Sequence, residues 1–253
     1  MPPDLPTVGW RRGAAAGLLT VLLSFAAYVP AFLSGWLAPD SRGAIAAGVV
    51  ICVILGIASA LAIVVAFEVA FLHRVRNVAG YGIAVPRRLW SSVALYVPLV
   101  VTVVIVGGIL TQLLGLDDEA TTEVDTDGFS TGELLFFSFS AVVVAPWVEE
   151  VAMRGLLYTS LAARFGFWRA AFGSALVWSS LHLAPGVLVI FTLEGVVLAW
   201  LRRRTGSVLP CIAVHGIQNT IATAYAGSIW LAGGSLALLA VSLAVAWPRL
   251  ERA

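Results

Sequence analysis

The sequence predicts an all-α protein, a polytopic bundle of about eight transmembrane helices with both termini cytoplasmic. Three observations lead there. Of 253 residues, 60% are hydrophobic and only 11% charged, with a mean hydropathy of +0.97. A soluble domain carries about 25% charged residues. The apolar residues are gathered into long runs separated by short polar ones, and the loop arginines sort to one side of the resulting topology.

The apolar segments run from Gly13 to Leu37, Ala44 to Leu72, Trp90 to Leu114, Leu134 to Ala162, Ala170 to Leu183, Val187 to Leu201, Val208 to Tyr225 and Ile229 to Trp247. Arg11 and Arg12 precede the first, as in a signal peptide, but its length, Pro30 and the lack of a small-x-small cleavage pattern favour an uncleaved helix. Between the fifth and sixth segments, Pro185-Gly186 leaves only a very short outer turn. With the N-terminus inside, Arg11, Arg12, Arg74, Arg76, Arg87, Arg88, Arg164, Arg169, Arg202, Arg203, Arg204, Arg249 and Arg252 are cytoplasmic. Among loop arginines only Arg42 falls outside, and the acidic loop from Asp117 to Glu133 lies outside with it. A missing or extra middle helix would scramble this asymmetry.

No linker or internal repeat divides the chain, so residues 1–253 read as one membrane domain. Residues 1–129 hold the N-terminal spans and the acidic outer loop, 130–225 the chemically distinctive core, and 226–253 the last span and tail. The net charge of +1 says nothing about nucleic acid, and no basic cluster with interleaved aromatics suggests it as a partner; the lipid bilayer is the partner expected. All fifteen basic residues are arginine, in keeping with a codon-composition bias. Cys52 and Cys211 sit in apolar segments and read as small packing residues. Cys211 shares a helical face with His215, but no second cysteine supports a thiolate metal site.

The fourth segment contains Glu149-Glu150-Val151-Ala152-Met153-Arg154. Each charge at membrane depth costs roughly 2.5–3.5 kcal/mol on insertion scales, so such residues mark functional sites. Glu149 lies about 22 Å along a helix begun at Leu134, hence well submerged. Glu150 and Arg154, four apart, share a face and can pair, whereas Glu149 points about 100° away and has no partner in its own helix. Pro146 disturbs the backbone ladder just before them. Glu150 and Arg154 suit helix glue as well as direct chemistry; Glu149 is the candidate general base.

Two further segments carry isolated polar groups. Trp178 stands four residues before His182 and can lie against its imidazole. His215 and Asn219, also four apart, share a face and can donate hydrogen bonds to an oxyanion or simply join helices. Counted from the cytoplasmic ends of their segments, His182 comes out about 18 Å deep and His215 about 10 Å, so tilt or a later start of the fifth segment is needed for them to meet. Glu194, in the sixth segment, either lines the cavity or hydrogen-bonds as a neutral acid. Glu68, five residues before His73, reaches interfacial water, and Arg202-Arg203-Arg204 reads as a lipid-headgroup anchor.

Taken together, Pro146 to Gly155 with its Glu-Glu-x-x-x-Arg run, Trp178-x-x-x-His182 and His215-x-x-x-Asn219, in that order on separate helices, resemble the CAAX-protease and bacteriocin-processing (Abi) family of intramembrane proteases. The stretch Arg204-Thr205-Gly206-Ser207-Val208-Leu209-Pro210 adds to the likeness, which covers about residues 130–225. Trp178 departs from the commoner phenylalanine while keeping an aromatic ring. The resemblance implies an integral membrane endopeptidase of a bacterial cell membrane acting on a membrane-anchored peptide or protein, prenylated in the eukaryotic branch. It implies that Glu149 activates water with help from His182, that His215 and Asn219 stabilise the oxyanion, and that Glu150 and Arg154 orient the site. A divalent metal such as zinc on Glu149, His182 and His215 is compatible with the same residues. Two other classes stay open: a proton-coupled transporter using Glu149, Glu150, Glu194 and the histidines as a relay, and a non-catalytic immunity protein.

Overall fold

A computed structural model of the protein describes residues 89–116, 138–182, 185–225 and 229–250, together with Trp10, Arg11, Gly13, Ala14, Ala15, Gly17, Leu18, Gly82 and Leu134. Most of the first segment, the whole second segment and the acidic loop lie outside the described residues, as do Cys52, Glu68, His73, Arg12, Arg42, Arg74, Arg76, Arg87, Arg88 and Arg252. All regular structure among the described residues is helical, with no strand.

Helix α1, Leu89–Leu113, is the one described helix long and apolar enough by itself to cross a membrane. It buries Leu89, Val93, Tyr96, Val100, Gly107 and Thr111, the three-to-four spacing of a single helical face. Trp90, Leu95, Ile105, Ile109 and Leu113 are exposed on its other faces. A helix apolar on both its packed and its open side suits a position between protein and lipid.

The fourth segment forms one composite helix, α2, through Ser140–Val144, Ala145–Glu150, Val151–Tyr158 and Thr159–Phe165. The first and third stretches are π-helical, so the disturbance expected at Pro146 is a widening of the helix. Ala145 N donates to Ser140 O, five residues back. The next bond in that series would come from Pro146, which has no N–H, so Ala141 O is orphaned within its own helix. Asn219 supplies the missing donor, its Nδ2 lying 2.7 Å from Ala141 O. The later stretch buries seven consecutive residues, Ala152 through Tyr158, and is therefore enclosed on all sides.

Gly166, at φ 78°, ends α2 in a backbone conformation that Cβ-bearing residues rarely adopt. Helix α3 follows as Phe167–Ser180, starting three residues earlier and stopping three earlier than the predicted Ala170 to Leu183. It is a short helix, about 21 Å against about 30 Å of hydrocarbon. Leu181 and His182 donate backbone N–H groups to Trp178 O and Ser179 O in a tightened last turn. His182 thus stands just past the helix end, a correction to its expected place within the segment.

Helix α4, Pro185–Thr205, opens on the proline expected to make the turn, since a first-turn residue needs no amide donor. It runs four residues beyond the predicted Leu201, taking in Arg202, Arg203 and Arg204, whose charges suit a helix C-terminus. Ser207 Oγ accepts from Leu209 N at 3.1 Å and caps α5, Leu209–Tyr225. Helix α6, Ile229–Leu250, closes the described chain.

In the packing, α4 contacts α3 most extensively and also α1 and α5, while α6 lies against α5. The main apolar core joins Val93, Val100, Val142, Leu198, Ile212 and Leu239, drawn from five helices. Trp147 Nε1 donates to Ser242 Oγ at 2.9 Å and ties α2 to α6. Near the chain start, Trp10 meets Phe165 edge-on with ring centroids 5.4 Å apart.

Gly216 sets how closely α5 approaches α2. A Cβ there would lie 2.9 Å from Val142 O, a backbone atom that cannot swing aside. The Gly216→Ala variant is expected to lose about 1–3 kcal/mol of stability through overpacking. Its unfolding midpoint in detergent, compared with the wild type, measures this.

Candidate active site

Glu150 has no exposed surface and Arg154 only 1%. Arg154 Nη1 donates to Glu150 Oε1 at 2.9 Å, the ion pair anticipated from their four-residue spacing. The same oxygen lies 2.9 Å from Nδ1 of His215, brought in from α5. A carboxylate only accepts, so Nδ1 carries the hydrogen and Nε2 is the ring atom left for other contacts. Glu150 thereby links the first motif to the third. Arg154 also stacks over the Trp178 ring, its Cζ 4.7 Å from the centroid.

Trp178, only 3% exposed, links the remaining residues. Its Nε1–H donates to Glu149 Oε2 at 2.5 Å. Its ring meets His182 edge-on at 5.3 Å and His215 edge-on at 5.5 Å between centroids. His182 Nδ1 faces Trp178 O at 3.1 Å, which again leaves Nε2 as the open nitrogen, and Phe191 packs on the imidazole at 4.4 Å. The depth mismatch counted along the segments is therefore bridged. The fifth helix starts earlier rather than later, but the broad indole touches both imidazoles.

Six of the seven residues named from sequence, Glu149, Glu150, Arg154, Trp178, His182 and His215, thus form one connected set, while the seventh, Asn219, bonds to Ala141 O on α2. Glu194, fully buried, accepts from Gln218 Nε2 at 2.8 Å through Oε2. Gln218 is the residue sequence reading passed over. Its signal was present, an amide in an apolar helix three residues after His215. Cys211 is buried, with Sγ 3.3 Å from Leu198 O, and serves packing as expected. Glu150 Oε2, Arg154 Nη2, Glu194 Oε1 and Gln218 Oε1 are buried and find no hydrogen-bond partner among the described residues. The interior therefore has hydrogen-bonding capacity beyond its own pairs.

Residues 131–221 match the family model of the type II CAAX prenyl endopeptidase Rce1-like proteins. The match takes in every residue of the connected set. No curated protein and no solved structure matches the chain. The Rce1-like family is one of membrane-embedded proteases, which supports a protease acting on a peptide or protein substrate, and α1 supplies an apolar helix of spanning length.

Among the described residues, no three His, Cys, Asp or Glu side chains are grouped so as to hold a metal ion. Nε2 of His182, Nε2 of His215 and Oε1 of Glu149 are nonetheless left uncommitted by the bonds these residues make.

Removing one partner of a buried ion pair leaves an uncompensated charge, at about 3–5 kcal/mol. Arg154→Met is expected to lose about that much stability. The double variant Glu150→Leu/Arg154→Met should lose less than the single one, because no lone charge remains. Denaturant unfolding followed by circular dichroism separates the two.

Proposed function

We propose that the protein is an intramembrane endopeptidase that hydrolyses a peptide bond of a membrane-anchored substrate by glutamate-activated water. The observation that carries this reading is the convergence of Glu149, His182 and His215 on one indole, within a segment that matches a protease family.

In this mechanism Glu149 Oε1 accepts a proton from water while Oε2 stays on Trp178. The water oxygen adds to the scissile carbonyl carbon, and the open Nε2 of His182 helps orient it. Asn219 offers the developing oxyanion its second amide hydrogen, since it commits only one N–H to Ala141 O, and His215 offers Nε2–H as the imidazolium whose Nδ1–H is held by Glu150. Collapse of the tetrahedral intermediate breaks the C–N bond, and the proton held by Glu149 passes to the leaving nitrogen. Glu150 and Arg154 fix the orientation of His215.

The substrate class follows the matched family, a protein or peptide bearing a prenylated C-terminal CAAX sequence. The architecture that goes with this reading is a multi-pass bundle of about eight spans with both termini in the cytoplasm. The short α3 and the π-helical stretches of α2 support this reading, since irregular backbone within a membrane is tolerated where protein or a polar cavity faces it.

The test is cleavage of a membrane-anchored peptide library by the purified protein in lipid, with and without chelator. Glu149→Gln should insert and fold as the wild type does and lose proteolysis. Unchanged cleavage by that variant would remove the assignment. Wild-type activity under chelator is expected where Glu149 alone activates the water; a loss restored by zinc would assign that role to a metal instead.

A further inference from the structure

Trp178 packs its ring against Arg154, His182, His215 and Phe191. The indole adds one group that phenylalanine lacks. Its N–H reaches Glu149 Oε2 across 29 residues of sequence, and it is the only hydrogen bond the Glu149 side chain makes among the described residues. Glu149 is half-buried, on a stretch of α2 with π-helical backbone on each side, and no side chain of its own helix bonds to it.

We infer that Trp178 is a positioning residue whose indole N–H holds one oxygen of Glu149 and so aims the other at the reacting water. The inference rests on the reading of Glu149 as the base. The indole itself is held in place by Arg154 on its face and by the two imidazoles at its sides, so the donor cannot swing away from the carboxylate. Without the N–H the carboxylate keeps its charge but loses its fixed rotamer. A misplacement of about 1 Å at a reacting group costs on the order of a hundredfold in rate. Substrate contacts do not involve the indole nitrogen, which the carboxylate already occupies, so binding should be spared.

The experiment uses the full-length protein in nanodiscs and a quenched fluorogenic peptide ending in a farnesylated CAAX sequence. Two replacements delete the donor: Trp178→Phe, which keeps an aromatic ring of smaller size, and benzothienylalanine at 178, which changes little but N–H to sulfur. Both are expected to lower kcat about ten- to hundredfold with KM near the wild-type value. The benzothienylalanine protein should retain the wild-type unfolding midpoint, whereas Trp178→Phe also removes buried ring volume and should lower it. Wild-type kcat in either variant, beside an inactive Glu149→Gln, overturns the inference and leaves the proposed function standing. Wild-type cleavage by Glu149→Gln removes the proposed function first, and the catalytic inference with it. A readout without turnover is the indole N–H resonance of Trp178 in 15N-tryptophan protein, assigned by its loss in Trp178→Phe. It should move on Glu149→Ala; a resonance that stays put shows that the hydrogen bond is absent and defeats the inference.

Discussion

The buried carboxylate of Glu150 is the constraint on which the arrangement depends. With no exposed surface, it is tolerable only because Arg154 and His215 both reach Oε1. Each partner is in turn committed elsewhere. Arg154 lies over the Trp178 ring, and His215 stands against the side of that ring. An uncompensated carboxylate at this depth would be costly enough to move helices, so the pairing dictates that α2, α3 and α5 meet at one level. Once they do, Glu149 on the neighbouring face of α2 is brought to the indole nitrogen.

A second constraint comes from backbone chemistry. Pro146 withholds a donor from Ala141 O, and the chain responds with a π-helical stretch and a bond from Asn219. The polar residues of α5 thus serve two helices at once. His215 holds a side chain of α2 and Asn219 holds its backbone, with Gly216 between them allowing the close approach both bonds require. The arrangement gives Asn219 a structural function beside its proposed catalytic one, supplying a donor where the helix is irregular.

Much of the candidate site was legible from spacing. The Glu150–Arg154 pair, the separate face of Glu149 and the contact of Trp178 with His182 all follow from helical geometry over four residues, which local sequence encodes. What spacing could not supply was any relation between segments. The depth count placed His182 and His215 apart because it measured each along its own axis. It also took Trp178 as a packing ring, since a hydrogen bond spanning 29 residues leaves no trace in periodicity. Gln218 was passed over for the same reason. An amide in an apolar helix announces a partner without saying which one, and Glu194 stands on another helix.

Composition and apolar run length by themselves determined that the chain is helical, because only internally hydrogen-bonded segments suit so apolar a sequence. Local spacing determined which polar residues share a face. Segment ends were less secure, as the three-residue displacement of α3 and the extension of α4 through Arg204 show. Tertiary structure alone decided that three motifs on separate helices share one indole, that Asn219 repairs the backbone beside Pro146, and that Glu194 is matched by Gln218. The reason is physical. Local rules act over a few residues through the backbone, whereas burial of charge and polar groups is satisfied by whichever helix packing brings near.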